Sequence, residues 1–384
     1  MEQNKNVKNP NGSRHAPKRK WDPELLLAVF LLIFIVLAIA LTTILVVGYV
    51  TDPPQDPNET EGNGNGEEDA DSAVFSGGVY PTLPVVGEGS RVADELNSGY
   101  AALIDVESGA VLAHKNGEVR FHPASMTKIM TLIVACEQLT EEDLEREITL
   151  TEDLFDFATT GVYSGASRHG FEVDEKVRLK DLLYGIGVVS GADCTLMAVQ
   201  AVFDTVSPKR AEAKFVDLMN QKAEEMGLKN THFENSVGME GDEHYTTATE
   251  MGAILAYALQ CPLIEDILST SKGYSFYIKY KEEGEVKSYR STYYSTLFNA
   301  NPDRSSRIKA YETKHKIKFE LDELELLGGK TGTLGSGTNA DPYVYSLATY
   351  AEADGKYYVL ITGETTLSYG MMDDAKTMYD EYVK

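Results

Sequence analysis

A serine and a lysine three residues apart on a helix share one face, so the amine can reach the hydroxyl. If that face is buried, the ammonium loses solvation, its pKa falls, and it can serve as the base that makes the serine a nucleophile. The chain carries three such pairs: Ser125/Lys128 in HPASMTKIMT, Ser269/Lys272 in LSTSKGYSF and Ser306/Lys309 in PDRSSRIKA. At most one of them should be chemistry. The spacing alone fits equally well a serine that caps a helix while the lysine reaches into solvent. The setting of each pair has to choose.

Ser269 and Ser306 have ordinary neighbourhoods, a helix end running into a Gly turn and a charged loop, and both lysines are expected to be exposed. Ser125 follows a hairpin and Pro123 and opens a long apolar helix, SMTKIMTLIVACEQL. A helix start offers free backbone N–H groups and a positive dipole end, both suited to an oxyanion. Much further on, GGKTGT places Lys330, Thr331, Gly332 and Thr333 ahead of a strand pair. On an inner strand these residues present a cation, hydroxyls and a backbone without a side chain to an incoming carboxylate. Between the two, LLYGIGVVSGADC sets Ser190 on a short turn that joins two helical runs. The seven histidines form no His-Glu-x-x-His or comparable ligand set, so neither a metal nor a cofactor is expected.

The elements that must position these groups are legible in outline. Tyr100–Asp105 and Ala110–His114 are apolar runs joined by VESG and read as a β-hairpin. From Ser125 to about Gln260 the text is mainly helical, with Ile129, Leu132, Ile133 and Cys136 on one stripe of the first helix. AEAKFVDLMNQKAEEMG reads as another helix, with Gly227 past its end. Near the end, YVYSLATYA and KYYVLITG flank an ADG turn, and MMDDAKTMYDEYVK closes the chain as a helix. The economical arrangement is an α/β (α+β) fold: both strand groups in one antiparallel sheet, helices on both faces, and a large helical lobe.

Ahead of that domain the composition changes twice. Residues 1–20 carry six Lys/Arg against Glu2, so the rest of the chain sums to −30 within a net charge of −25. Leu25 to Val50 is 26 residues without a charge, longer than a signal-peptide core and able to span a bilayer of about 30 Å. Residues 51–78 hold eight acidic residues, no basic ones, and many Pro, Gly and Asn. The division expected is a basic cytoplasmic tail (1–24), one transmembrane anchor (25–50), a flexible acidic linker (51–78) and an extracellular domain (79–384). An acidic body repels phosphates, which argues against nucleic acid as a partner. Cys136, Cys194 and Cys261 sit in apolar text with no metal spacing and are expected to be buried free thiols.

Ser-x-x-Lys, then a Ser-led turn, then Lys-Thr-Gly is the ordered signature of active-site-serine, penicillin-recognising enzymes. From about Gly99 onward the chain resembles the low-molecular-weight penicillin-binding proteins that are serine-type D-alanyl-D-alanine carboxypeptidases. AALIDVESGAVLAHKNGEVRFHPASMTKIMT, LKDLLYGIGVVSGAD, FVDLMNQKAEEMGLKNTHFENSVGM and HYTTATEMGAIL carry that likeness. It implies a β-lactamase/transpeptidase-like fold and a peptidoglycan stem peptide ending in D-Ala-D-Ala as substrate, with β-lactams as inhibitors. Ser125 would be the nucleophile and Lys128 its base. The N–H groups of Ser125 and Thr333 would form the oxyanion hole. Lys330, Thr331 and Thr333 would receive the terminal carboxylate, and Ser190 would relay a proton to the leaving amine.

Two departures accompany the resemblance. The middle motif of the family ends in Asn, whereas here its third residue is Ala192, followed by Asp193. Many relatives also carry a C-terminal β-domain and an amphipathic helix; here Leu25–Val50 is expected to anchor the enzyme from the opposite end. A DD-endopeptidase or transpeptidase would use the same site. A class A β-lactamase needs a Glu-x-x-Leu-Asn loop after the middle motif, and DELN at 94–97 stands before Ser125 instead. A β-lactam sensor needs an output domain, which about twenty residues before a single span do not supply.

Overall fold

The computed structural model describes residues 73–204, 206–298 and 306–383. In chain order these form strands β1 (Arg91–Val92), β2 (Tyr100–Asp105) and β3 (Val111–Lys115), then helix α1 (Thr127–Gln138), β4 (Glu147–Thr149) and α2 (Glu152–Thr159). Next come β5 (Lys176–Arg178), α3 (Leu179–Val188), α4 (Ala192–Val202), α5 (Pro208–Glu225), α6 (Ala248–Ala258) and α7 (Pro262–Ser269). The hairpin β6 (Tyr274–Glu282) and β7 (Glu285–Tyr293), α8 (Arg307–His315), β8 (Glu325–Leu334), β9 (Val344–Ala353), β10 (Lys356–Thr365) and α9 (Gly370–Tyr382) complete the domain.

The main sheet has the order β1-β3-β2-β10-β9-β8 and is antiparallel except where β1 runs parallel to β3. The strands from the beginning and end of the chain therefore meet, as expected: Leu103 of β2 sits opposite Leu360 of β10, and Ala102 opposite Ile361. Alternation then sorts these residues between two layers. Ala102, Ile104, Val359 and Ile361 join the core beneath the helical lobe, whereas Ala101, Leu103 and Leu360 pack with Met371, Met378 and Tyr379 of α9. Helices thus cover both faces.

α1 departs from the expected one-sided stripe. Every residue from Thr127 to Cys136 is buried, because α3, α4, α5 and α6 pack around it. A helix buried all round needs no polar face, and a lysine carried on it has no route to water. A second sheet, β4-β5-β6-β7, also lies outside the sequence expectation. Its signal is the alternation in YSFYIKYK, followed by a two-residue loop at Glu283 and Gly284, both at positive φ as tight hairpins require.

Three further corrections concern boundaries. Residues 73–78, assigned to the linker, begin the packed domain: Val74 N donates to Leu139 O at 2.7 Å, and the buried Phe75 ring lies 5.2 Å from that of Tyr257. The three residues AVF are hidden when composition is averaged over an acidic stretch. PDRSSRIKA is not all loop, since α8 starts at Arg307. Finally, β8, which carries Lys-Thr-Gly, is the edge strand of its sheet and not an inner one. The tail, the apolar segment 25–50 and most of the linker lie outside the described residues. Among the described residues, no single helix is long and apolar enough to cross a membrane.

Candidate active site

The edge of β8 and the start of α1 meet at closest approach. A 3-10 turn, Ala124–Met126, leads into α1 and packs against β8. A Cβ on Gly332 would lie 3.1 Å from the Cβ of Ala124 and 3.2 Å from Pro123 O, so the glycine of Lys-Thr-Gly lets strand and turn touch. Ala124 itself holds φ at +50°, a conformation that costs a non-glycine residue about 1 kcal/mol or more. His122 supports it: its Nδ1 accepts from Ala124 N at 3.0 Å, which leaves Nε2–H to donate to Met239 O at 3.3 Å. Burial lowers the His122 pKa and favours this neutral tautomer.

Ser125 stands on that turn, and Lys128 follows in the first turn of α1. The Lys128 side chain is 1% exposed, with Nζ 3.2 Å from Ser125 Oγ and donating to Val237 O at 2.6 Å. Burial pulls its pKa down to about 7, against the opposing pull of negative charge at Asp193 and Glu212. A lysine with that pKa is substantially neutral at physiological pH, and its lone pair can accept the serine proton.

The carbonyl that holds Lys128 is itself fixed. Asn235 Oδ1 accepts from the N–H groups of Val237, Gly238 and Met239 at 3.2, 2.7 and 2.9 Å. Gly238 has φ +87°, and a Cβ there would sit 2.0 Å from Ala124 O, so only glycine passes beneath the Ser125 turn. One residue earlier, Ser236 donates through N and Oγ to the buried carboxylate of Glu212, each at 2.8 Å, and Tyr163 OH donates to the same carboxylate at 2.8 Å. Ser236 O accepts from Thr131 Oγ1 at 2.6 Å, which ties the segment back to α1.

Ser190 occupies the turn between α3 and α4 at φ +60° and is nearly buried. Lys330 Nζ donates to Ser190 Oγ and to Thr331 O, both at 2.8 Å. The pKa of Lys330 is held well below normal by burial first, then by the nearby charges of Lys128 and Arg307. Thr331 Oγ1 lies 2.8 Å from Thr296 Oγ1, and Arg307 Nη2 donates to Thr333 Oγ1 at 2.9 Å. Arg307 also covers the Tyr345 ring at 4.5 Å, and among the described residues its buried Nε has no hydrogen-bond partner.

All seven residues picked out by the sequence, Ser125, Lys128, Ser190, Lys330, Thr331, Gly332 and Thr333, therefore lie along one seam between β8, the Ser125 turn and the Ser190 turn. Sequence reasoning missed Arg307, Thr296 and the Asn235–Gly238 turn. Arg307 follows directly on one of the decoy serines and gave no signal. Ala192 is fully buried at the start of α4, where its N–H donates to Ser167 O at 2.7 Å. The adjacent Asp193 carboxylate instead accepts from His169 N and Gly170 N at 3.0 and 2.7 Å. Cys136, Cys194 and Cys261 are free and buried, as expected. Among the described residues no His, Cys, Asp and Glu group is arranged to hold a metal.

Fold and side chains together set a serine beside a buried lysine at the edge of a helix-covered sheet. Residues 88–297, more than half the chain, match the family Peptidase_S11, D-alanyl-D-alanine carboxypeptidase, and the chain belongs to that family. The Lys330 strand lies beyond the matched segment, and it is the tertiary structure that brings it to Ser125. The chain is 32% identical over 185 residues to D-alanyl-D-alanine carboxypeptidase DacF of Bacillus subtilis, covering 48% of this chain and 44% of that protein. It is 36% identical over 160 residues to DacA of Escherichia coli, covering 40% and 36% respectively. The matches thus span less than half the length of these relatives. A solved variant of the Streptomyces K15 DD-transpeptidase shares the fold, with a TM-score of 0.58 at 23% identity over 74% of this chain and 96% of that one.

Proposed function

We propose that the protein is a penicillin-binding, serine-type D-alanyl-D-alanine carboxypeptidase acting on peptidoglycan stem peptides. The observation that carries this reading is the buried Lys128 amine, depressed to a pKa of about 7 and 3.2 Å from Ser125 Oγ. Lys128 takes the Ser125 proton as Oγ attacks the penultimate D-Ala carbonyl. The N–H groups of Ser125 and Thr333 receive the developing oxyanion, where fixed donors do most for the transition state. As the C–N bond breaks, Ser190 passes a proton to the departing amine, and water then releases the acyl group.

The charge pattern fits the same substrate. Lys128, Lys330 and Arg307 converge, yet among the described residues none of the three lies within 4.0 Å of a carboxylate. A buried cation without a counter-ion is costly, which is what weakens the hold of Lys330 on its proton. A substrate carboxylate placed against Lys330, Thr331, Thr333 and Arg307 restores the charged form by supplying the missing anion. The test is fluorescent-penicillin labelling, followed by release of D-Ala from diacetyl-L-Lys-D-Ala-D-Ala. Labelling and release are expected, and labelling that survives Ser125→Ala overturns the reading.

The same reading places the protein in the cell membrane with its N-terminus in the cytoplasm and its domain outside. It is supported by the 26 uncharged residues Leu25–Val50 behind a basic flank. Alkaline extraction of membranes should leave the full chain in the pellet and release a chain lacking residues 25–50.

A further inference from the structure

The leaving residue is the one part of the substrate that must touch both sides of the site. Its amine faces Ser190, and its carboxylate faces Thr331, Thr333 and Arg307. Beside them, bounded by Arg307 and by Thr296, the partner of Thr331, opens a cavity of about 500 Å³, lined also by Arg168, His169, Thr292 and Tyr294. Val189, which precedes Ser190, lines it too, so the cavity adjoins the reaction centre and continues away from it. The methyl of a leaving D-Ala, about the size of a water molecule at roughly 30 Å³, leaves most of this space unused.

The lining is selective as well as large. Among the described residues no Asp or Glu contributes to it, although the chain carries a net charge of −25. Two arginines do contribute, and among the described residues neither Arg168 nor Arg307 forms an ion pair. The remaining polar lining consists of hydroxyls and one imidazole, the Nε2 of His169 being 3.1 Å from Ser291 Oγ. Guanidinium groups in a lining that shows no carboxylate among the described residues suit an anion reached by a flexible arm.

We propose that this cavity is a subsite for the side chain of the leaving residue, and that it selects a D-residue with a side chain several methylenes long and ending in a carboxylate. The inference rests on the hydrolase reading above and widens its substrate class. The bond cut is then an amide between a D-Ala carbonyl and the amine of a larger D-residue, as well as that of alanine. The covalent steps do not change: the Ser125 Oγ–C bond forms, the C–N bond breaks, and the serine proton leaves with the amine.

The test compares diacetyl-L-Lys-D-Ala-D-Ala with two analogues whose last residue is D-2-aminoadipate or D-lysine. Cleavage of the aminoadipate peptide is expected to exceed that of the lysine peptide about ten-fold in kcat/KM, the worth of one charge-assisted contact. Arg168→Gln should remove that preference and leave D-Ala release unchanged. Release of D-Ala with the aminoadipate peptide resistant overturns the subsite, and equal cleavage of both analogues overturns its selection for an anion. Calorimetric titration of the Ser125→Ala protein with the same three peptides separates the inference from the reading beneath it. A protein that never hydrolyses but binds the aminoadipate peptide about ten-fold tighter than the lysine peptide keeps the subsite and loses the hydrolase reading. Equal binding of the two with normal D-Ala release does the reverse.

Discussion

Ser125 and Ser306 each stand at the entrance of a helix with a lysine three residues on, yet the two sites do opposite things. Ser306 turns its oxygen onto its own backbone and accepts from Lys309 N at 3.2 Å as the cap of α8. Lys309 is half exposed, and its amine lies 4.0 Å from Glu312. Ser125 instead holds its Oγ 3.2 Å from Lys128 Nζ, and Lys128 is 1% exposed. The third pair resembles the second: Ser269 Oγ donates to Asp266 O at 3.2 Å, and Lys272 is exposed. The same four-residue text therefore gives a helix cap or a serine held against a buried amine according to what surrounds the helix. An exposed lysine keeps its proton and leaves the serine to the backbone. A lysine on a helix packed on every side loses its proton more readily and takes the serine as partner.

The largest effect that can break this comparison comes from the nucleophiles. Ser125→Ala should abolish penicillin labelling and D-Ala release, a loss on the order of 10⁴-fold or more, whereas Ser269→Ala should label at the wild-type rate. Lys128→Met, which keeps the volume of the buried chain, should slow acylation about 10²- to 10⁴-fold, while Lys309→Ala stays within error of wild type. A Lys309 variant as impaired as the Lys128 one would erase the distinction drawn here.

The pH profile sharpens it further. On the proposed mechanism Lys128 accepts the serine proton only when neutral, so acylation should fall as pH drops through about 7 and level off above it. An ordinary surface lysine would instead give a rate still climbing toward pH 10. Glu212 raises the Lys128 pKa through its charge, so Glu212→Gln should move that limb to lower pH, measured as the apparent pKa of the acylation rate. An unmoved limb would show that the Glu212–Ser236–Val237 connection carries no charge effect to the base. The smallest effect belongs to the decoy: Ser306→Ala should cost about 1 kcal/mol of stability in thermal unfolding, as loss of a helix cap does, with penicillin labelling retained.

Much of the fold was legible because hydrophobic periodicity reports local structure directly. The β2–β3 hairpin, β9–β10 with its Asp354–Gly355 turn, and the closing helix all stand where alternation and turn residues put them. The β6–β7 hairpin was equally periodic and was overlooked beside the helical text around it. Edge or interior position is another matter. Nothing in ELLGGKTGTL says that β8 has a neighbour on one side only, since that depends on pairing with β9, which follows in the chain, and on nothing pairing beyond.

The sequence by itself determined the kinds of group available and their order: a Ser-x-x-Lys pair, a Ser-led turn and a Lys-Thr-Gly strand. Local rules are enough for that, because spacing along a helix and the chemistry of each side chain do not depend on distant residues. Tertiary structure alone decided which lysine loses its solvent, since α3 to α6 must first close around Lys128. It also decided that Arg307 stands at Thr333 and that Asn235 sets the carbonyl holding Lys128. Those contacts join residues 26 and 109 positions apart, where no periodicity in the sequence can reach.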